Sequence, residues 1–357
     1  MKTLANSTLW FFIMAATLVH TPFMFSQEDD SAAQAATSGS TAPIDAYGTT
    51  AYSLAPDLRG GGTLGPLKPT TVLTGASYAT GGAALRNRNA ANISVSGLVG
   101  SPKTTFLYWS VITASYPPPA AVTSLQIQRV DPVPVSAVTV IKGVVVGKGP
   151  APCWGPQGSV ITVFRGVVPV AVSGPGDGSY QITIMPGGAG LVNGADPWKQ
   201  PNARPLWEGA SLVMIGQGTG TVSVFDVGLA GNTFAPNPNP FNYVLALPIA
   251  PPGKRTLFDN IGADGQHPMT TSRDAVLSVS DEATTINGMP VAGPGSNYVD
   301  SDWNGSSGLP LPELWDDTGH DITQPNAPGG NLLNIVIKSA VAPADCLTPV
   351  VNVIEED

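Results

Sequence analysis

Phe106-Leu-Tyr-Trp-Ser-Val-Ile-Thr113 decides the fold class. The run is apolar at nearly every position and lies between Pro102 and Pro117–Pro119. A short apolar stretch bounded in this way reads as a β-strand buried on both faces. Its neighbours read the same way. In Val122–Val130, Leu125, Ile127 and Arg129 fall on one face and Gln126, Gln128 and Val130 on the other. Val135–Val146 is rich in β-branched residues, and Gly158–Val172 reads as a strand with a break near Gly166. After the turn cluster Gly174–Gly178, Ser179–Met185 alternates, with Tyr180, Ile182 and Ile184 on one side.

Ala210–Gln217 and Thr221–Val227 are expected to form a hairpin joined by Gly218-Thr219-Gly220. Further strands are expected near Tyr243–Ile249, Ala275–Ser280, Asn331–Val341 and Leu347–Val353. Helical spacing of apolar residues does not extend over any long window. With 41 Gly and 35 Pro spread along 357 residues, the chain favours many short strands joined by turns. The expected class is all-β, a β-sandwich or jelly roll, built as one large unit or as two packed sandwiches.

The organisation follows from composition shifts. Lys2 precedes the apolar run Leu9–Val19, which is too short for an ordinary membrane-spanning helix and reads as a secretory signal over residues 1–26. Residues 27–70 begin small and polar and are expected to be a disordered or weakly structured leader. Asn232–Pro240 marks an internal boundary between a first β half, 71–235, and a second, 236–357, packed on the first and carrying acidic loops. The mature chain is therefore expected to be exported, with no membrane span.

Charge narrows the partners. Formal net charge is −9, with only 11% charged residues, so phosphate backbones and anionic membrane surfaces are poor partners. An extracellular protein or a polysaccharide is the expected partner. The two cysteines, Cys153 and Cys346, fit a disulfide in an oxidising compartment, with two buried free thiols as the alternative. A bridge would draw the last strands back onto the first half.

Chemistry is concentrated late in the chain. Asp300-Ser-Asp302-Trp-Asn304-Gly305 reads D-x-D-x-N-G, which places alternate oxygen ligands as a calcium loop does. An EF-hand would need an acid at loop position 12, where Leu311 stands, so the frame is not an EF-hand. Calcium on Asp300, Asp302 and Asn304 is the one cofactor the sequence points to. A polar turn is the alternative. Asp259, Asp264, Asp316, Asp317 and Asp321 add further acids, expected in loops at one end of the sandwich.

Asp302, Glu313, Asp316 and Asp317 could supply a carboxylate pair for glycoside hydrolysis. Trp303 and Trp315 could stack on a sugar and, with Asp316 and Asp317, form a ligand-binding surface. Trp198 and Trp207 also lie in Gly/Pro-rich stretches that suggest exposure, whereas Trp109 is expected in the core and Trp154 against the cysteine bridge. His267 and His320 are too few for a zinc site built on histidines. A Ser–His–Asp triad through His320 and Asp321 lacks a G-x-S-x-G elbow, and Gly216–Gly220 has no following helix to make it a phosphate loop.

Phe106-Leu-Tyr-Trp109, Pro152-Cys-Trp-Gly155, Glu208-Gly-Ala-Ser-Leu-Val213 and Asp345-Cys-Leu347 together resemble a poorly characterised class of secreted all-β domains in bacterial and archaeal surface proteins. The resemblance spans roughly residues 75–350. It implies packing and bridge motifs, and no catalytic residues. Members often carry surface anchors or tandem adhesion modules, and the last residues here, Val353–Asp357, show no sorting signal. The leading expectation is an exported, non-enzymatic protein of cell-surface or extracellular interaction. A calcium-assisted carbohydrate-binding module and a glycoside hydrolase using the acidic loops are the alternatives.

Overall fold

Strand follows strand along the described chain, because β-branched and aromatic runs alternate with glycine and proline. A computed structural model describes residues 65–151, 158–195, 203–228, 241–248, 254–266, 282–293, 302–303, 313–325, 330–339 and 347–357. In chain order the strands are β1 (Thr71–Ala84), β2 (Ala90–Val95), β3 (Thr104–Thr113), β4 (Ser124–Asp131), β5 (Thr139–Lys142), β6 (Val144–Pro150), β7 (Val160–Val167) and β8 (Gly178–Ile184). They continue with β9 (Leu206–Asp226), β10 (Phe241–Ala246), β11 (Thr256–Gln266), β12 (Glu282–Ile286), β13 (Met289–Ala292), β14 (Glu313–Asp321), β15 (Leu332–Ser339) and β16 (Thr348–Glu356). Among the described residues a 3-10 turn at Ala120–Val122 and one short α-helix, α1 (Val170–Ser173), interrupt them, the latter where Val172 had been expected to extend a strand. Pro169 at its start removes a ladder donor and ends β7. The protein is an all-β sandwich.

A central eight-stranded sheet runs β14-β11-β16-β9-β3-β7-β6, with β1 on the second edge of β9. Two four-stranded sheets, β2-β8-β4-β5 and β10-β15-β12-β13, flank it. β9 organises all of this. β1 runs along one edge from Gly209 to Val224. The other edge is shared, by β3 over Leu206–Ile215 and by β16 over Thr221–Asp226.

Three cores result. Leu107, Trp109, Val111, Leu212 and Met214 pack on Leu125, Ile127, Tyr180 and Ile182 between the central sheet and the first flanking sheet. Phe225, Phe258 and Ile354 pack on Tyr243, Leu245, Leu333 and Ile335 of the second. Val213, Val222, Val224, Ile261, Val353 and Trp315 meet in a third cluster, where the central sheet curls on itself. Alternation along β9 explains this, since successive side chains feed opposite faces.

The expected hairpin at Gly218–Gly220 is a bulge inside one 21-residue strand. Ala76 of β1 pairs with both Gln217 and Gly220, so the Gly218-Thr219 pair is looped out without reversing the chain. The unbroken run of β1 holds both pieces of β9 in one ladder. The expected division at 235 is likewise bridged, because β16 of the second half is hydrogen-bonded to β9 of the first. Residues 65–70 of the expected leader are also tied down, with Leu67 bridged to Leu245 and the Thr70 amide donating to Val224 O at 2.8 Å. The expected signal, the rest of the leader, Cys153, Trp154, Trp198, Asp300, Asn304 and Cys346 lie outside the described residues.

Trp315 sits flat on a glycine floor. A Cβ at Gly209 would lie 2.5 Å from its ring and 2.7 Å from the Ala83 carbonyl oxygen. Overpacking of this kind costs about 1–3 kcal/mol. Gly209→Ala is therefore expected to lower the denaturant midpoint of unfolding without changing its slope, and an unchanged midpoint would mean that the seat is loose.

Candidate functional site

The acids expected in loops are in strands. β11 and β14 pair antiparallel, with Phe258 opposite His320, Asn260 opposite Thr318, Ile261 opposite Asp317 and Gly262 opposite Asp316. Residues opposite one another share a face, and neighbours along a strand do not. Asp259, Trp315 and Asp317 therefore face the curled interior, while Asn260, Asp316 and His320 face the second flanking sheet. The expected Asp316–Asp317 pair is thereby divided between two sites.

On the inner face, Asp259 and Asp317 converge on β1. Thr80 Oγ1 donates to Asp259 Oδ2 at 2.7 Å. Asp317 lies diagonally across the β11–β14 ladder from Asp259, on the same face. Trp315 Nε1 donates to Ser211 Oγ at 2.9 Å, and the Tyr78 amide donates to Glu355 Oε2 at 3.3 Å. A Cβ at Gly319 would lie 2.5 Å from Asp259 Oδ1, so that oxygen occupies the space over the bare glycine.

Burial raises Asp317 to about 7, and the charge of Asp259 adds to the effect. Burial also raises Asp259, against the pull of its bonds to Thr80 and Tyr78 and of His320. The pair thus keeps a proton at pH values where isolated carboxylates have lost theirs. Burial and the charges of Asp259, Glu355 and Asp317 lift the Tyr78 phenol well above its ordinary range.

On the outer face, His320 Nε2 is hydrogen-bonded to Asp302 Oδ1. The Phe258 ring lies stacked on the imidazole, 6.5 Å between centroids. Tyr243 Oη donates to Asn352 Oδ1 at 2.9 Å, and Asn352 Nδ2 donates to Asn260 Oδ1 at 2.9 Å. Burial and the Asp302 charge push the Tyr243 phenol far up. Asp302 Oδ2, Trp303 Nε1 and Asn260 Nδ2 are buried without a hydrogen-bond partner among the described residues.

Two further buried ion pairs lie elsewhere. Arg86 meets Glu208 at 2.5 Å, and Asp226 receives Arg165 and the Tyr108 hydroxyl, each at 2.7 Å. These are packing devices of the central sheet.

The structure brings Asp302 to His320 and seats Trp303 against Gly262. It sets Asp317 on the face opposite to that of Asp316 and His320, and so away from Asp302. Trp303, Trp315 and Trp207 are 1%, 0% and 2% exposed, so none offers a ring face to a sugar. Glycine made the difference, because a ring laid on Gly209 or Gly262 is drawn into the sheet, whereas Gly/Asp-rich context had suggested solvent. Trp109 is in the core as expected. Among the described residues, no three His, Cys, Asp or Glu side chains come together as a metal-holding group. None of the helices there is long and apolar enough to cross a membrane.

Thr80, Tyr78, Ser211, Tyr243 and Asn352 escaped sequence reasoning. Tyr78 and Thr80 lie in the glycine-rich Ala76–Gly82 stretch, where alternation is weak, and Ser211, Tyr243 and Asn352 lie in strands that were expected but show no local mark of a polar role. Comparison with protein-family models, with curated proteins and with solved structures gave no match.

Removing the Tyr243 hydroxyl leaves Asn352 Oδ1 buried and unpaired, which costs about 1–3 kcal/mol. Tyr243→Phe is expected to destabilise the protein by that amount in denaturant titration. No loss would mean that the Tyr243–Asn352–Asn260 chain is not formed.

Proposed function

We propose that this chain is an exported, non-enzymatic β-sandwich protein that acts by contact, at a cell surface or in the extracellular space, on a protein or polysaccharide. The observation that carries this reading is where the reactive side chains go. The acids and tryptophans most suited to chemistry are spent on the interior: Asp259 is buried and bonded to Thr80, and Trp303 and Trp315 are core. A catalytic acid needs an oxygen within reach of substrate, and Asp259 is only 8% exposed, with Oδ2 bonded to Thr80. The apolar run Leu9–Val19 and the low charge content support export. The resemblance to secreted surface domains fits the same reading, and two of its four motifs are neighbours, with Phe106 opposite Val213 and Trp109 opposite Ala210.

The test is expression of the full chain in a bacterial host, followed by fractionation and N-terminal sequencing. The expected result is a chain outside the cytoplasm beginning near residue 27. Intact chain retained in the cytoplasm would contradict export. Hydrolysis of a polysaccharide by the purified protein, lost in Asp317→Asn, would contradict the non-enzymatic reading.

A second reading rests on Asp302. Its Oδ2 is buried and without a hydrogen-bond partner among the described residues, in the D-x-D-x-N-G stretch that suits calcium. Calcium there would be a structural ion, because Trp303 is closed to a sugar. A cation that binds only the folded state raises its stability by mass action. On this reading millimolar calcium raises the thermal midpoint of the wild type and not of Asp302→Asn, and equal midpoints with calcium and with chelator would exclude it.

A further inference from the structure

The edge of a sheet carries unpaired amides and carbonyls, so an edge is covered, blocked or used for pairing. Most edges of this protein are accounted for. On β10, Leu67 takes the edge, its amide donating to the Val244 carbonyl at 2.7 Å and its carbonyl accepting from the Ala246 amide at 2.8 Å. β13 carries Pro290, which has no amide to offer. β1 lies against β2, where a Cβ at Gly81 would stand 2.2 Å from the Ser94 carbonyl oxygen, and against β14, where Gly82 receives the Trp315 ring. On β6, a Cβ at Gly147 would stand 2.0 Å from the Gly228 carbonyl oxygen.

β5 ends the first flanking sheet and has no such cover among the described residues. Its register on β4 defines the groups it leaves open. Gln126 stands opposite Val140 and Ser124 opposite Lys142, and the Gly143 amide donates to the Thr123 carbonyl at 2.9 Å. Antiparallel pairs alternate between bonded and unbonded. With Thr123–Gly143 bonded, Leu125–Ile141 and Ile127–Thr139 are the bonded pairs of β5. The amides of Val140 and Lys142 and the Val140 carbonyl therefore point away from β4, while the Lys142 carbonyl lies over Gly166 of β7. The side chains at this edge are apolar and in solvent. Val138 is 56% and Val140 52% exposed, with Val133 (78%) and Val135 (50%) just upstream. An edge of this kind is a template for a further strand.

Charge and register select the occupant. The chain has a net charge of −9, yet the only charges over residues 132–150 are Lys142 and Lys148. Two copies can meet here without acid facing acid. Set antiparallel about Val140, the strand is also complementary to itself. Val140 lies opposite Val140 of the other copy, and Lys142 of each copy lies opposite Val138 of the other, never opposite Lys142. Each outward Val140 amide then meets a Val140 carbonyl, and each Lys142 amide meets a Val138 carbonyl.

We propose that this chain forms a two-fold dimer by antiparallel pairing of β5 with β5 of a second copy, centred on Val140. The first flanking sheet continues through the contact into the second copy. An interface built on one short edge is smaller than an obligate one, so the dimer exchanges with monomer. The pairing does not depend on export or on the partner proposed above.

The experiment is sedimentation equilibrium of the full chain from about 1 to about 200 μM, concentrations that bracket the dissociation constants of weak specific contacts. It is repeated with Val140→Lys and Val138→Glu, each checked for folding by circular dichroism. Both side chains are more than half exposed, so neither change opens a core. The wild type is expected to pass from one chain mass toward two, with the Val140 and Lys142 amides gaining protection from exchange at the upper end. Val140→Lys sets two ammonium groups face to face and is expected to weaken association by about tenfold or more. Val138→Glu sets an acid opposite Lys142 of the other copy and is expected to tighten association several-fold, an effect lost in high salt. A wild type that stays monomeric throughout would overturn the proposal, as would association that Val140→Lys leaves unchanged or that Val138→Glu weakens.

Discussion

β9 is hydrogen-bonded along both edges, and the rest of the structure depends on that double ladder. A strand paired on both sides has no free amide row and must be apolar on both faces where both are covered. Leu206–Ile215 meets that demand, with Ala210, Leu212 and Met214 in one core and Val213 and Ile215 in another. Beyond the bulge the same strand delivers Val222 and Val224 to the curled interior and Phe225 to the second sandwich. The two flanking sheets are thus covers on successive stretches of one strand.

The curl carries an electrostatic cost. It brings β11 and β14 over β1 with acids on both of their faces, in places where water cannot solvate them fully. Buried carboxylates must be paired, hydrogen-bonded or protonated. Asp302 is paired with His320 and Asp226 with Arg165 and Tyr108, while burial favours the protonated form of Asp317. Side chains that look reactive in the sequence become structural once their partners are counted, and the contact-based function proposed above follows from that shift.

The fold class was legible because burial on both faces leaves an apolar run, as in Phe106–Thr113, and burial on one face leaves alternation, as in Ser179–Met185. The Gly218–Gly220 bulge was misread as a turn because the residues that cross a bulge are those that reverse a chain, and only the distant partner β1 distinguishes them. β14 was misread as loop because both of its faces bind polar groups, which erases the alternation that marks a strand. Asp302 was singled out for its spacing, yet its bond to His320 depends on a fold contact that no local pattern records. Thr80 and Ser211 carry no local mark of their roles, because the partners of their hydroxyls, Asp259 and Trp315, come from distant strands.

The most direct test of the account is residue-resolved hydrogen exchange along β9 under native conditions. If β9 is one strand on which both sandwiches rest, the amides of 206–215 and 221–226 should open with the same free energy, that of global unfolding. An opening of 221–226 together with β16 and β11 at clearly lower free energy, with 206–215 still protected, would show two independent sandwiches and contradict the account.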